Sequence, residues 1–126
     1  MDHRDIARTI GSGGVFDITT TGRRSGLPRR IEVYVHNFDG DLFIGGRPGF
    51  TRDWLANLTA RPDFTVHLAG TADVAARAEP ITNPVERRRL FYRMLTESWG
   101  VEPAKAEATV DRYVVSSPLV RVTLDG

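Results

Sequence analysis

Ile31, Val33 and Val35 alternate with Glu32, Tyr34 and His36, a period of two that fits a strand with one buried face and does not fit a helix. Val15-Phe16-Asp17-Ile18-Thr19-Thr20 has the same alternating, β-branched character and reads as a second strand. Between them lies Thr19 to Arg30, with Arg23, Arg24, Arg29 and Arg30, two glycines, Ser25 and Pro28, and no acidic residue. This stretch is most simply a connection between two antiparallel strands. Gly22 and Gly26 are free to take positive φ at the bends, and Pro28 sits at a strand entrance where no ladder N–H is lost. Backbone amides freed by such a turn, with guanidinium groups around them, make an anion cradle. A solvated arginine-rich hairpin fits the same composition.

The remaining elements are short. Asp2 to Ile10 reads as a helix with Ile6 and Ile10 four residues apart, and Gly11-Ser12-Gly13-Gly14 breaks the chain after it. Strand two is expected over residues 29 to 37. Asn37 to Asp41 is expected as a hairpin turn, and Leu42 to Gly45 as strand three. A second loop, Gly46-Arg47-Pro48-Gly49-Phe50, leads to Thr51, a residue able to cap a helix carrying Trp54, Leu55 and Leu58, which Arg61-Pro62 ends. Phe64 to Leu68 is expected as strand four, Ala69-Gly70-Thr71 as a tight connection, and residues 72 to 79 as strand five. Asn83 and Pro84 open a helix from Val85 to Trp99, with Leu90, Met94 and Leu95 inward, Arg87, Arg88 and Arg89 mostly outward, and Gly100 as the stop. Pro103 to Arg112 forms a further short helix, and Leu119 to Leu124 the closing strand.

Six short strands joined mainly by tight turns predict an antiparallel barrel with flanking helices. With 40% apolar and 26% charged residues, the chain reads as one domain over residues 1–126. Residues 1–13 form a helical arm, and residues 83–112 a helical insertion before the last strand. Seventeen basic residues stand against sixteen acidic ones, so no bulk field calls for nucleic acid. Arg87-Arg88-Arg89 has no interleaved aromatics and reads as a solvated helix face. Absence of cysteine excludes disulfides and thiolate chemistry, and the histidines at 3, 36 and 67 lack ligand spacing, so no metal is expected. His36 and His67, on strands, are read as solvated or interfacial. No signal peptide or membrane span is legible, and a cytoplasmic location is the expectation.

If strands two and three form a hairpin, residues 28–30 and 46–49 lie at the same barrel end. Arg23, Arg24, Arg29 and Arg47 can then converge on one anionic ligand beside a helix N-terminus.

Thr20-Thr21-Gly22-Arg23-Arg24-Ser25-Gly26-Leu27-Pro28-Arg29 resembles the signature of the deazaflavin-dependent nitroreductase and quinone reductase family. Gly46-Arg47-Pro48-Gly49, followed by Asp53-Trp54-Leu55-Ala56-Asn57-Leu58-Thr59-Ala60-Arg61-Pro62, resembles that family's second signature. The resemblance spans residues 15 to 70 in register and the closing strand more loosely. It implies a split β-barrel of the FMN-binding type and binding of the reduced deazaflavin coenzyme F420, whose phosphate and oligoglutamate tail suit an arginine cluster. By this resemblance Arg24 and Arg29, with Ser25, match the positions that hold phosphate and tail. Gly46, Arg47, Pro48 and Gly49 match the loop that wraps the phosphate and deazaflavin side, and Trp54 an aromatic behind it. The loop at 47–52 is shorter than in the nitroreductase members, and the N-terminal segment is shorter than the arm of quinone-reducing members.

The expected activity is hydride transfer from reduced F420 to a quinone, nitro-aromatic or activated alkene, the protein's part being to bind, orient and exclude water. Trp99 and Tyr113 are candidates for the acceptor side, with lid packing as their structural role. FMN in place of F420, or a carrier of a tetrapyrrole, lipid or cofactor, are the alternatives that the same barrel allows. The outward face of strand two, Arg30, Glu32, Tyr34 and His36, together with sheet edges in need of cover, leads to the expectation of a homodimer.

Overall fold

A computed structural model describes residues 3–11, 13–49, 52–68 and 72–125, and of Thr9 the backbone alone. Asp2, the Thr51 cap and the Ala69-Gly70-Thr71 connection lie outside the described residues. Strands β1 (Gly13–Thr21), β2 (Pro28–Phe38), β3 (Asp41–Gly45), β4 (Asp63–His67), β5 (Asp73–Pro80) and β6 (Leu119–Asp125) follow the alternation read from the sequence. They pair antiparallel in the order β1-β2-β3-β6-β5-β4 and close into a barrel. Closure leaves none of the six as an edge, which removes the expected need for another subunit to cover one. Helices α1 (His3–Ile10), α2 (Asp53–Ala60), α3 (Pro84–Arg93) and α4 (Pro103–Ser116) flank the barrel. None of the described helices is long and apolar enough to cross a membrane.

Two apolar clusters hold these layers. One joins barrel residues such as Ile18, Val35, Leu42, Ile44 and Val120 with Ile6, Ala7 and Ile10 of α1 and Leu58 of α2. The other lies between strands and the α3–α4 layer, where Phe38, Phe43 and Leu119 meet Leu90, Phe91, Met94 and Val110. Strand β3 is buried on both sides, since Leu42 and Ile44 join the first cluster and Phe43 the second. Each fully buried Leu or Phe among these contributes roughly 1.5–3 kcal/mol.

Polar ties fix the ends. Asn37 Oδ1 accepts from the Gly40 N–H at 2.8 Å, while its Nδ2 donates to the carbonyls of Ala7 and Gly11 at 2.9 and 2.6 Å. The β2–β3 turn is thereby bound to α1. His3 Nδ1 accepts from the Leu124 N–H at 3.0 Å, which leaves Nε2 to donate to the Gly40 carbonyl at 2.9 Å. Asn83 caps α3 by accepting from the Glu86 N–H at 3.0 Å, with Pro84 at the first turn.

The helical layer departs from the sequence reading in three respects. The helix expected to run from Val85 to Trp99 changes to a π-helical turn over Met94–Ser98, and α4 extends past Arg112 to Ser116. Arg87 points inward. Its guanidinium donates to the carbonyls of Ile81, Val114, Tyr113 and Ser117 at 2.8, 2.9, 3.3 and 2.5 Å. Three of these acceptors sit at the C-terminal end of α4, where helix carbonyls lack intrahelical partners and carry partial negative charge. Burial lowers the Arg87 pKa, and the carbonyl fork compensates the desolvation.

Candidate functional site

The arginine turn between β1 and β2 is closed by its own backbone. The Gly22 N–H donates to the Leu27 carbonyl at 2.8 Å and the Gly26 N–H to the Gly22 carbonyl at 2.9 Å. Gly26 takes φ of +71°, as the bend requires. Gly22 does not adopt a positive φ; a Cβ there would stand 2.5 Å from Ser25 Oγ and 3.3 Å from the Leu27 carbonyl oxygen, so a larger residue would displace the Ser25 hydroxyl. That hydroxyl accepts from the Leu27 N–H at 3.1 Å, so Ser25 shapes the turn as well as facing the cleft.

Asn57 of α2, buried at 4% exposure, anchors the turn from below. Its Oδ1 accepts from the Arg23 N–H at 3.1 Å and from Arg23 Nη1 at 3.0 Å, and its Nδ2 donates to Thr20 Oγ1 at 3.4 Å. Arg23 Nη2 also lies 3.5 Å from Asp53 Oδ1. Arg23 is therefore committed within the protein. Arg30 is too, with Nε 2.9 Å from Asp17 Oδ2. Arg24 and Arg29 make no ion pair among the described residues, and both line a cleft of about 440 Å³ with Thr20, Ser25, Ile31, Asp53 and Trp54. Strand pairing explains the selection: Arg29 stands opposite Thr20 and shares the face of Ile31, whereas Arg30 stands opposite Thr19.

A larger cavity, about 740 Å³, adjoins this cleft across Trp54, which borders both. Its floor is Val33, Ile44 and Gly45 of the barrel, one rim is Gly46, Arg47 and Pro48, and the helical layer supplies Leu95, Trp99, Val101, Arg112 and Tyr113. Glu32, Tyr34 and Arg52 complete it. Gly46 is fixed by donating its N–H to the Pro118 carbonyl at 3.2 Å, and Arg52 Nη2 donates to the Arg47 carbonyl at 3.3 Å. Gly49 lines neither space. Trp99 and Tyr113, whose ring centroids are 6.1 Å apart, form an aromatic wall.

His36 stands behind that wall and corrects the reading of it as solvated or interfacial. It is fully buried, with Nδ1 2.9 Å from Ser98 Oγ in the π-helical turn. Its ring lies 5.6 Å edge-on from Trp99 and 4.7 Å from Tyr34. Burial pushes its pKa from 6.5 to about 4, so it is neutral near neutrality, and its Nε2 has no partner among the described residues. The helical layer covers the β2 face that alternation left outward. His67 is half-buried, with Nε2 2.6 Å from Thr19 Oγ1 and Nδ1 2.7 Å from Asp73 Oδ1.

The structure thus brings Arg23, Arg24, Ser25, Arg29 and Trp54 together, and sets Gly46, Arg47 and Pro48 beside Trp99 and Tyr113 across that tryptophan. The four arginines expected on one ligand divide between two adjoining spaces, one of them already paired. Tyr34, Glu32, Arg52 and Arg112 were not singled out as site residues. The alternation of β2 already placed Tyr34 and Glu32 on a common face, but the helix that covers this face comes from much later in the chain. Among the described residues no cluster of His, Asp or Glu is arranged to hold a metal ion.

Residues 3–119 match the family model described as F420H(2)-dependent quinone reductase. The chain belongs to this family. It is similar in fold to the conserved hypothetical protein Rv2991 from Mycobacterium tuberculosis, at 17% identity and a TM-score of 0.74 over 100% of this chain and 82% of that one. An F420-H2 dependent reductase, FDR-A, aligns at 21% identity and a TM-score of 0.60, over 86% of this chain and 92% of its own. HutZ, the heme storage protein from Vibrio cholerae, aligns at 13% identity and a TM-score of 0.64, over 97% and 89%. At these identities the likenesses establish the split-barrel fold. No curated relative matches the sequence.

Membership of the F420H(2)-dependent quinone reductase family makes the protein an F420-dependent oxidoreductase by class and implies a polyanionic coenzyme. The donor set fits such a group. Two guanidinium groups without ion-pair partners among the described residues, Arg24 and Arg29, face a cleft beside the hydroxyl of Ser25. Asp53, the one carboxylate of that cleft, lies beside Arg23. Pairing planar forks with phosphate or carboxylate is the use for which arginine is best suited.

Proposed function

We propose that this protein reduces a small conjugated acceptor, a quinone, nitro-aromatic or activated alkene, with reduced coenzyme F420 as the donor. The observation that carries this reading, beside family membership, is the division of the arginines: Arg23 and Arg30 are paired within the protein, while Arg24 and Arg29 are left facing the cleft. Arg24, Arg29 and Ser25 would hold the coenzyme's phosphate and tail. Gly46, Arg47 and Pro48 would line its deazaflavin side, with Trp54 as the wall shared by both spaces. When bound, the coenzyme supplies a hydride.

The chain's own residues then have three tasks. Arg24 and Arg29 anchor the anionic end. This converts binding energy remote from the reacting atoms into orientation. The aromatic and aliphatic lining of the larger cavity, Trp99, Tyr113, Tyr34 and Leu95, excludes water around the acceptor. Tyr113 Oη is assigned the proton that completes reduction. Trp99 sits edge-on to neutral His36, where it shapes the cavity and carries no proton in the reaction.

A two-fold homodimer over the outer side of β1 and β2, where half-exposed Val15 pairs with Tyr34 across the ladder, belongs to the same reading. Sedimentation at micromolar concentration tests it, and a monomer alone would overturn it. A cytoplasmic location accompanies the coenzyme. The cofactor assignment is tested by fluorescence titration with F420 and FMN side by side. Tighter F420 binding is expected; tight FMN binding without F420 binding would overturn the assignment. Single-turnover oxidation of the reduced coenzyme by an added quinone separates an enzyme from a carrier.

A further inference from the structure

The larger cavity carries more positive charge than a neutral acceptor would need. Arg47, Arg52 and Arg112 line it against the single carboxylate of Glu32. Arg47 belongs to the loop assigned to the coenzyme, and Arg52 donates to that loop's backbone. Arg112 has neither task. It projects from α4 next to Tyr113, and its guanidinium makes no hydrogen bond or ion pair among the described residues. The nearest acidic groups along α4 are already committed, since Asp111 and Glu107 both pair with Arg88 of α3. The fold thus pairs the acids nearest Arg112 on α4 with Arg88 and leaves the Arg112 guanidinium at the helical rim of an aromatic cavity.

We propose that Arg112 is a specificity-determining residue that selects a planar aromatic acceptor bearing a carboxylate. This rests on the acceptor side of the proposed function and names its substrate class. The ring would lie along Trp99 and Tyr113, whose centroids are 6.1 Å apart, and the carboxylate would meet Arg112 at the helical rim. Glu32, on the strand wall, repels the carboxylate and so fixes which end of the acceptor faces α4. A guanidinium fork beside a ring-stacking wall recognises charge and plane together, and an uncharged analogue loses the first of these.

The chain's two tryptophans, Trp54 and Trp99, both line this cavity, so intrinsic fluorescence reports binding directly. The probes are 4-nitrobenzoate and its methyl ester, both tryptophan quenchers. At low salt the acid is expected to bind about tenfold more tightly than the ester, the margin of a charge-assisted contact. Arg112→Gln is expected to abolish the preference by weakening the acid alone, whereas Arg89→Gln, an exposed change on α3, keeps it. Quenching is expected to persist in Trp54→Phe, where Trp99 is the sole reporter. Equal affinity of acid and ester, a preference that survives Arg112→Gln, loss of it in Arg29→Ala instead, or loss of quenching in Trp54→Phe would each overturn the proposal. F420 titration of the same proteins separates the two levels. Coenzyme binding without an acid preference retains the reductase reading and removes this one. An acid preference without coenzyme binding removes both the reductase reading and the acceptor role of Arg112.

Discussion

Arg29 and Arg30 are consecutive on β2 and stand on opposite sides of the barrel wall. Arg29 lines the cleft beside Ile31, and Arg30 Nε lies 2.9 Å from Asp17 Oδ2 on the outside. Arg29→Ala is expected to lower F420 affinity by about tenfold or more with a nearly unchanged melting temperature. Arg30→Ala loses an exposed ion pair of under about 1 kcal/mol and should spare affinity. Titration and melting of the two variants together check this, and a reversal of the two affinities would refute the assignment.

Salt separates the same contacts by another route. Raising ionic strength from about 0.05 to about 0.5 M, which shortens the screening length roughly threefold, should weaken wild-type coenzyme binding. Arg24→Ala and Arg29→Ala should each be less salt-sensitive, because each has already lost a screened contact. Equal slopes for all three proteins would place the anion elsewhere.

Asn57 holds the arginine turn through both its acceptor contacts with Arg23. Asn57→Ala removes a buried amide and leaves the Arg23 N–H and Thr20 without their partners. It should cost about 1–3 kcal/mol of stability and weaken coenzyme binding although it does not touch the tail. Asn57→Asp, which keeps the acceptor oxygen, should recover most of the binding loss. Amide hydrogen exchange of residues 22–27 is the direct readout: faster exchange in the alanine variant and near wild-type exchange in the aspartate variant.

Neutral His36 makes stability depend on pH with a definite sign. Its pKa is 6.5 in the unfolded chain and about 4 in the folded one. Between these values the unfolded state binds the extra proton, so stability falls as pH drops from about 6.5 to about 4 and this contribution is flat above and below that window. The amplitude is on the order of 3 kcal/mol, from a pKa difference of about 2.5 at about 1.4 kcal/mol per unit of pKa. Urea unfolding of wild type and His36→Leu at pH 7 and pH 4.5 isolates it, since other titrating groups cancel in the difference. The variant should lose less stability on acidification, and an identical loss would exclude His36 as the source.

Arg87 is expected to be the most costly arginine to remove for stability. Arg87→Ala would strip a fork from four carbonyls and should destabilise by about 2–4 kcal/mol. Arg89→Ala, exposed on the same helix, should change stability by under about 0.5 kcal/mol. Chemical denaturation of both variants distinguishes the buried fork from the surface charge.

The strands were legible because their information is local. The alternation over Ile31 to His36, the Asn37–Asp41 turn and the Asn83-Pro84 start each lie within a few residues, and the β1–β2, β2–β3 and β4–β5 pairings follow from short connections, whereas the β3–β6 and β1–β4 pairings that close the barrel join strands far apart in the chain. The two glycine-arginine loops were legible as chemistry for the same reason, and their resemblance named the family that the matched residues 3–119 establish.

What the sequence by itself determined, then, was which segments become strands, where turns close, and that Arg29 and Arg30 would part company across β2. Tertiary structure alone decided which polar groups stay free. Arg87 found carbonyls up to 30 residues away, His36 a serine 62 residues away, and Arg23 an asparagine 34 residues away. Periodicity assigns a side chain to a face but says nothing of what later covers that face. The helical layer buries one half of the outer β2 surface around His36 and turns the other half, Glu32 and Tyr34, into a cavity wall. A charged residue is functional or structural according to whether a partner arrives, and that is settled only when distant elements dock.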